Sequence, residues 1–222
     1  MKFADILAST IHDIKNALGM VINTLDEITA DPSYGLTGNP KVVTLQLEAR
    51  RANYDLIQLL TLYKLDSGRV TLHLAGHNLD DFLDDMLVDH RSLAQARGIT
   101  LDYACDPSLE AYFDEDLVRG VLSNAIGNAE RHTRDRIRLT AVAEEGYVAI
   151  RVEDNGPGFP PSMLEPTDEH EPEEGFGRGR TRLGMYFSSQ VAALHRNEGR
   201  IGHICLTNAS TLGGGCFSIR LP

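Results

Sequence analysis

Cations are scarce in this chain of 222 residues: 21 Lys and Arg stand against 32 Asp and Glu, a net charge of −11. That deficit excludes a general nucleic-acid binder, which needs a basic footprint for the phosphate backbone. It also argues against docking on an anionic membrane surface. A nucleotide ligand stays open, because a small basic pocket can sit in an acidic protein. Cysteine is equally sparse. Cys105, Cys205 and Cys216 are an odd set without a Cys-x-x-Cys pair, which suits free thiols in a reducing cytosol. No apolar run reaches the ~18 residues of a membrane span, and no leader precedes Phe3. The expectation is a cytoplasmic protein without membrane contact, whose input comes from a separate sensor protein, from an acidic loop of its own or from a region outside this sequence. What is present, 42% apolar and 24% charged residues, is ordinary for a globular fold that needs neither disulfide nor metal staples.

Two long amphipathic patterns open the chain. Ile6, Leu7, Ile11, Ile14, Leu18, Val21, Ile22, Leu25 and Ile28 recur at three- and four-residue steps, which predicts a helix over 4–28. A loop rich in Gly, Pro, Asn and Asp follows over 29–40, then a second helix over 41–65 with a stop at Asp66-Ser67-Gly68. Two helices alone cannot bury stripes this wide. Pairing two hairpins makes a four-helix bundle, so a homodimer is expected; docking onto the chain's own C-terminal half is the alternative.

Beyond that hairpin the texture changes, dividing the chain into domains over 1–68 and 69–222. Strands are expected over 70–74, 100–103, 136–143, 147–153, 202–206 and 216–221, with helices over 79–96, 116–131 and 183–195. An acidic, Gly-rich loop is expected over 165–179. The fold class is α+β: an N-terminal helical hairpin forming a dimeric four-helix bundle, then an α/β sandwich with one helical face.

Four stretches carry residues suited to chemistry. His12-Asp13-Ile14-Lys15-Asn16 places His12 and Asn16 one turn apart, with Asp13 beside the imidazole to polarise it. Asn124 and Asn128 also stand one turn apart, and amide oxygens suit a hard cation such as magnesium bridging to phosphate. Asp154-Asn155-Gly156-Pro157-Gly158 follows a strand, where two glycines allow a flat ligand close to the backbone and Asp154 can accept from an exocyclic amine. Gly213-Gly214-Gly215 precedes the last strand. Each has a plainer reading alone: a solvated helix face, capping asparagines, a simple turn, a hairpin. His73-x-x-x-His77 has metal-ligand spacing, but it is expected in a strand and a turn at Gly76, which argues against a metal site.

In this order and spacing the motifs resemble the core of a two-component histidine kinase, over nearly the whole chain. The first half resembles the dimerisation and histidine-phosphotransfer hairpin, the second the Bergerat-type ATP-binding domain. The resemblance implies that His12 accepts the γ-phosphoryl group of ATP, that Asp13 is its general base, and that Asn16 orients water for dephosphorylation of a partner. It implies that Asn128 ligates magnesium beside Asn124, that Arg131 lies near the phosphates, and that Asp154, Gly156 and Gly158 receive adenine. The implied partners are a second copy of the chain and the receiver domain of a response regulator. The second glycine box departs from the family: Arg180-Thr181-Arg182-Leu183-Gly184-Met185 carries Arg180 and Arg182 where glycines are usual and keeps only Gly184. These arginines can contact a triphosphate in place of backbone amides, or block its path. Three alternatives follow: a phosphotransfer protein with a degenerate ATP site, a non-catalytic receiver-binding module, or an anti-sigma-type serine kinase, against which the His-bearing hairpin argues.

Overall fold

A computed structural model describes residues 3–36, 39–66, 71–164 and 181–222 (the side chains of 3–8, 12, 66, 181 and 182 aside). The expected loop at 165–179 and Arg180 lie outside the described residues. The chain forms two compact units, Met1–Thr71 and Leu72–Pro222.

The first unit is a helical hairpin. Helix α1 runs Phe3–Ala30 and α2 runs Pro40–Asp66. Between them Asp31 caps a short 3-10 turn, Pro32–Tyr34, accepting from Ser33 N at 2.8 Å, and Gly35 leaves it at a positive φ of 61°. Ile22 and Leu25 pack on Ala49, flanked by Leu18 and Ile28. The Asp26 carboxylate ties the helices together, accepting from Gln46 Nε2 at 2.8 Å and Arg50 at 2.5 Å. Each stripe is only partly covered within the unit. Ile14 and Val21, one heptad apart on α1, are 47% and 49% exposed, and Leu45 and Leu59, two heptads apart on α2, are 53% and 44% exposed. Seven-residue spacing is that of a helix-bundle seam.

The second unit is a five-stranded mixed sheet with helices on one face. Its elements are β1 Leu74–Asn78, α3 Leu79–Ala96, β2 Thr100–Cys105, β3 Glu110–Asp114, α4 Glu115–His132, β4 Arg136–Glu144, β5 Tyr147–Asp154, the one-turn α5 Pro161–Leu164, and α6 Thr181–Leu194. A two-residue ribbon follows, β6 Arg196–Asn197 and β7 Arg200–Ile201, then β8 His203–Thr207 and β9 Cys216–Leu221. The sheet order is β2-β4-β5-β9-β8, with β2 parallel to β4 and the other neighbours antiparallel. Alternation decides the faces. Ile137 and Leu139 of β4, Ile150 and Val152 of β5, and Phe217, Ile219 and Leu221 of β9 are buried, joined by Val118, Leu122 and Ile126 of α4 and Phe187 and Val191 of α6. The opposite face is polar: Arg138 bonds Asp102 at 2.5 and 3.0 Å, and Glu144 lies between Arg151 and Arg220 at 2.5 and 2.7 Å.

Two expectations need correction. The first strand begins at Leu74 rather than at residue 70, and Gly76 is inside it rather than in a turn, because it pairs with β3, a strand the sequence reading missed. The register sets Gly76 opposite Tyr112, whose ring covers the glycine. His77 stacks on Phe113 with ring centroids 4.6 Å apart. No group of three metal-ligating side chains occurs among the described residues.

Candidate functional site

Asp154 ends β5, a central strand, in the inward register of Ile150 and Val152, and is buried. Its Oδ1 accepts from Gly156 N at 2.6 Å and Gly215 N at 3.4 Å. Its own N–H donates to Gly215 O at 2.9 Å, and Ser210 Oγ donates to its carbonyl at 3.0 Å. The surrounding glycines are required by space. A Cβ at Gly214 would stand 2.5 Å from Asp154 O, one at Gly215 would stand 2.9 Å from Asp154 Oδ2, and one at Gly156 would strike the His132 carbonyl. The carboxylate is therefore held by backbone donors on one oxygen, with the backbone on each side stripped of side chain.

The loop beyond Asp154 is fixed by two asparagines. Asn155 Oδ1 accepts from Thr133 Oγ1 at 2.7 Å and from the N–H groups of Arg134, Asp135 and Arg136 at 3.1 to 3.2 Å. That gathers the turn after α4 around the loop after β5. Asn208 accepts from Phe159 N at 2.7 Å and donates to Phe159 O at 2.9 Å. Its amide fills the space a side chain at Gly158, with φ +81°, would need.

Helix α4 packs on β5. Asp114 caps it, accepting from Leu117 N at 3.1 Å, with Glu115 and Asp116 in the first turn and Arg131 and His132 in the last, in accord with the helix dipole. Val121, Leu122 and Ile126 anchor it in the core, which leaves Asn124 and Asn128 half-buried. Asn124 Nδ2 is sheltered from solvent and has no hydrogen-bond acceptor among the described residues. Gly184 of α6 lies against this amide: a Cβ there would stand 2.5 Å from Asn124 Nδ2. Asn128 Oδ1 accepts from the Arg131 guanidinium one turn on.

The structure thus brings Asn124 and Gly184 together, Asn128 and Arg131 together, and Asp154 with Gly156. Gly158 stands in the adjoining loop. Arg182 falls in α6, whereas Arg180 is outside the described residues. His12, Asp13 and Asn16 lie in α1, which runs unbroken through them, with Asp13 and Asn16 exposed. Sequence reasoning missed Asn155, Asn208, Ser210 and Glu153. Glu153 is buried and accepts from Thr211 N at 2.7 Å, bracing the glycine turn. Only Asn155 had a local signal, its place before Gly156 in a turn sequence; the partners of the others are 49 to 58 residues away.

Comparison with known proteins agrees with this geometry. Residues 113–222 match the family described as histidine kinase-, DNA gyrase B-, and HSP90-like ATPase. The signal transduction histidine-protein kinase AfsQ2 of Streptomyces coelicolor is 29% identical over 187 residues, covering 82% of this chain and 33% of that protein. The sensor histidine kinase TmoS of Ectopseudomonas mendocina is 26% identical over 228 residues, covering 99% of this chain and 23% of that protein. The chain thus spans about a quarter to a third of the length of these two relatives. The structure of Acinetobacter baumannii histidine kinase AdeS superposes with a TM-score of 0.60 at 14% identity, over 95% of this chain and 96% of that one.

Residues 113–222 match the model of that ATPase family, and together with the histidine kinase relatives this supports a histidine kinase catalytic ATP-binding domain in the C-terminal unit. Its fold is of the Bergerat type, preceded by N-terminal helices.

Proposed function

We propose that this chain is the catalytic core of a sensor kinase that phosphorylates His12 from magnesium ATP and passes the phosphoryl group to an aspartate on a response-regulator receiver domain. The observation that carries the reading is a pair of groups in the C-terminal unit, one carboxylate and one amide. Asp154 presents a buried carboxylate in a backbone-only cradle, and Asn124 presents a sheltered amide nitrogen with no hydrogen-bond partner among the described residues. An unsatisfied buried donor costs roughly 1–3 kcal/mol, a cost that a phosphate oxygen or the nucleotide sugar would offset on binding.

In this reading Asp154 Oδ2 accepts from the adenine amine while Oδ1 stays with the Gly156 and Gly215 amides. Gly158 and Gly156 let the base approach, and Asn124 donates to the nucleotide. Arg131 turns from Asn128 to the phosphates, with Arg180 and Arg182 as further cations. Asn128 is a hard oxygen donor whose one observed partner is a cation, so it fits magnesium, which would neutralise phosphate charge when bound. The His12 imidazole nitrogen attacks the γ-phosphorus, the bond to the departing ADP oxygen breaks, and Asp13 takes up the ring proton. Such transfer depends mainly on positioning and charge stabilisation. Asn16, one turn from His12, would orient water in the reverse, phosphatase direction. The half-exposed seam of Ile14, Val21, Leu45 and Leu59 supports pairing of two hairpins in a homodimer.

The test is incubation with γ-labelled ATP of the parent beside His12→Ala and Asn128→Ala. Acid-labile, base-stable label on the parent and on neither variant is expected. Label only after mixing with a phosphorylated receiver, and none from ATP, would replace this reading with that of a phosphotransfer protein.

A further inference from the structure

Helices α4 and α6 pack against each other, and they touch at three levels. Near the Asn-bearing end Gly184 abuts Asn124. In the middle, the Phe187 ring lies 3.5 Å from where a Cβ at Gly120 would be. At the far end His195, directly after α6, accepts the backbone N–H of Asp114, the cap of α4, on Nε2 at 3.0 Å. The helices therefore run antiparallel. Asn124 stands about 15 Å along α4 from the cap, and Gly184 about 16 Å back along α6 from His195, from the helical rise per residue.

The imidazole is committed at both nitrogens. Nε2 accepts from Asp114, so Nδ1 carries the hydrogen and donates to Val191 O at 2.9 Å. His195 is 2% exposed and Asp114 5%. The His195 backbone is fixed as well, its N–H donating to Ala192 O at 3.0 Å and its carbonyl accepting from Gly202 N at 2.8 Å. A slide of α6 along α4 by one residue would break the Nε2 bond and move Gly184 off Asn124 together. At the glycine end no hydrogen bond among the described residues joins Gly184 to the Asn124 amide nitrogen, and a side chain cannot be added there to hold the register.

We propose that His195 is a positioning residue of the nucleotide site: through Asp114 N–H it holds α6 in the register on α4 that seats Gly184 against Asn124. The inference rests on the nucleotide reading above. It assigns a role to a residue at the end of α6 remote from Gly184 and Asn124.

Two variants of the full chain separate the bonds. In His195→Asn the amide reaches the Nδ1 position and can still donate to Val191, but it is too short for Asp114. In His195→Gln the longer side chain can again accept from Asp114. Isothermal titration with magnesium ATP, below the melting temperature of each variant, is expected to show a Kd at least tenfold higher for His195→Asn and within threefold of the parent for His195→Gln. A purely structural role would lower the melting temperature of His195→Asn without changing the Kd of the folded fraction, and that result overturns the proposal. If His195→Asn does not fold, His195→Gln decides through amide exchange. Retained protection at Asp114 with retained affinity supports the register clip, and lost protection with retained affinity overturns it. Absence of binding by the parent itself would instead strike the nucleotide reading.

Discussion

The glycine turn before β9 allows the cradle around Asp154 to be tested by adding one methyl group. In Gly214→Ala the Cβ would lie 2.5 Å from Asp154 O and 2.6 Å from both Asp154 Oδ1 and Gly156 N, whereas ordinary contact begins near 3.4 Å. The gap must open by about 0.9 Å, on the difference of those distances. Neither side can yield easily. Asp154 is fixed by its N–H on Gly215 O and by Ser210, and Gly156 already rests on the His132 carbonyl. Overpacking of this kind costs about 1–3 kcal/mol. For a domain of this size that is a fall of about 2–12 °C in Tm. Gly127→Ala adds the same methyl in the interior of α4, where nothing lies within 4 Å, and should gain about 0.5–1 kcal/mol from helix propensity. Urea melts and titration with magnesium ATP read both. Gly214→Ala should be less stable and bind at least tenfold more weakly, and Gly127→Ala should bind as the parent does. Equal stability and affinity for the two variants would refute the claim that the cradle around Asp154 excludes a side chain.

Three further outcomes are expected. Burial holds the His195 pKa below its ordinary value of 6.5, so between the two values the unfolded chain binds the extra proton. Its contribution to stability is therefore complete above about pH 6.5 and is lost as pH falls from there through the lower folded value; urea midpoints at pH 7.5 and 5.5 should differ less in His195→Gln than in the parent. Burial, with Glu153 beside it, pushes the Cys216 thiol up to about 11, whereas Cys205 is exposed, so alkylation at pH 8 followed by peptide mass mapping should label Cys205 well before Cys216. Asn155→Ala removes the acceptor shared by three backbone amides and Thr133. Water can reach these exposed donors, so the loss should be about 1–2 kcal/mol in urea unfolding, and no loss would show the amide to be dispensable.

Helices α1, α2, α3 and α4 were legible within one or two residues because apolar spacing and caps act locally. The strands β4, β5 and β9 were legible because alternation and the Glu145-Gly146 turn act locally too. β3 was not, since its five residues lie between a turn at Pro107-Ser108 and the cap of α4, and only pairing with β1 makes them a strand. That error also displaced the start of β1. Within the site, the residue types at Asn124, Asn128, Asp154 and Gly184 were readable from order and spacing. Their supports were not: nothing near Asn208 announces that it closes on Phe159, and nothing near His195 announces Asp114, 81 positions earlier. Such contacts exist only once the sheet has brought its strand ends together.

Asp114 has one more partner. Its Oδ2 accepts from the backbone N–H of His73 at 2.9 Å, two residues past the boundary between the two units. The chain is thus fastened, where it enters the second unit, to the cap of the helix that carries Asn124 and Asn128. One carboxylate therefore serves both as the start of that helix and as the anchor of the incoming strand.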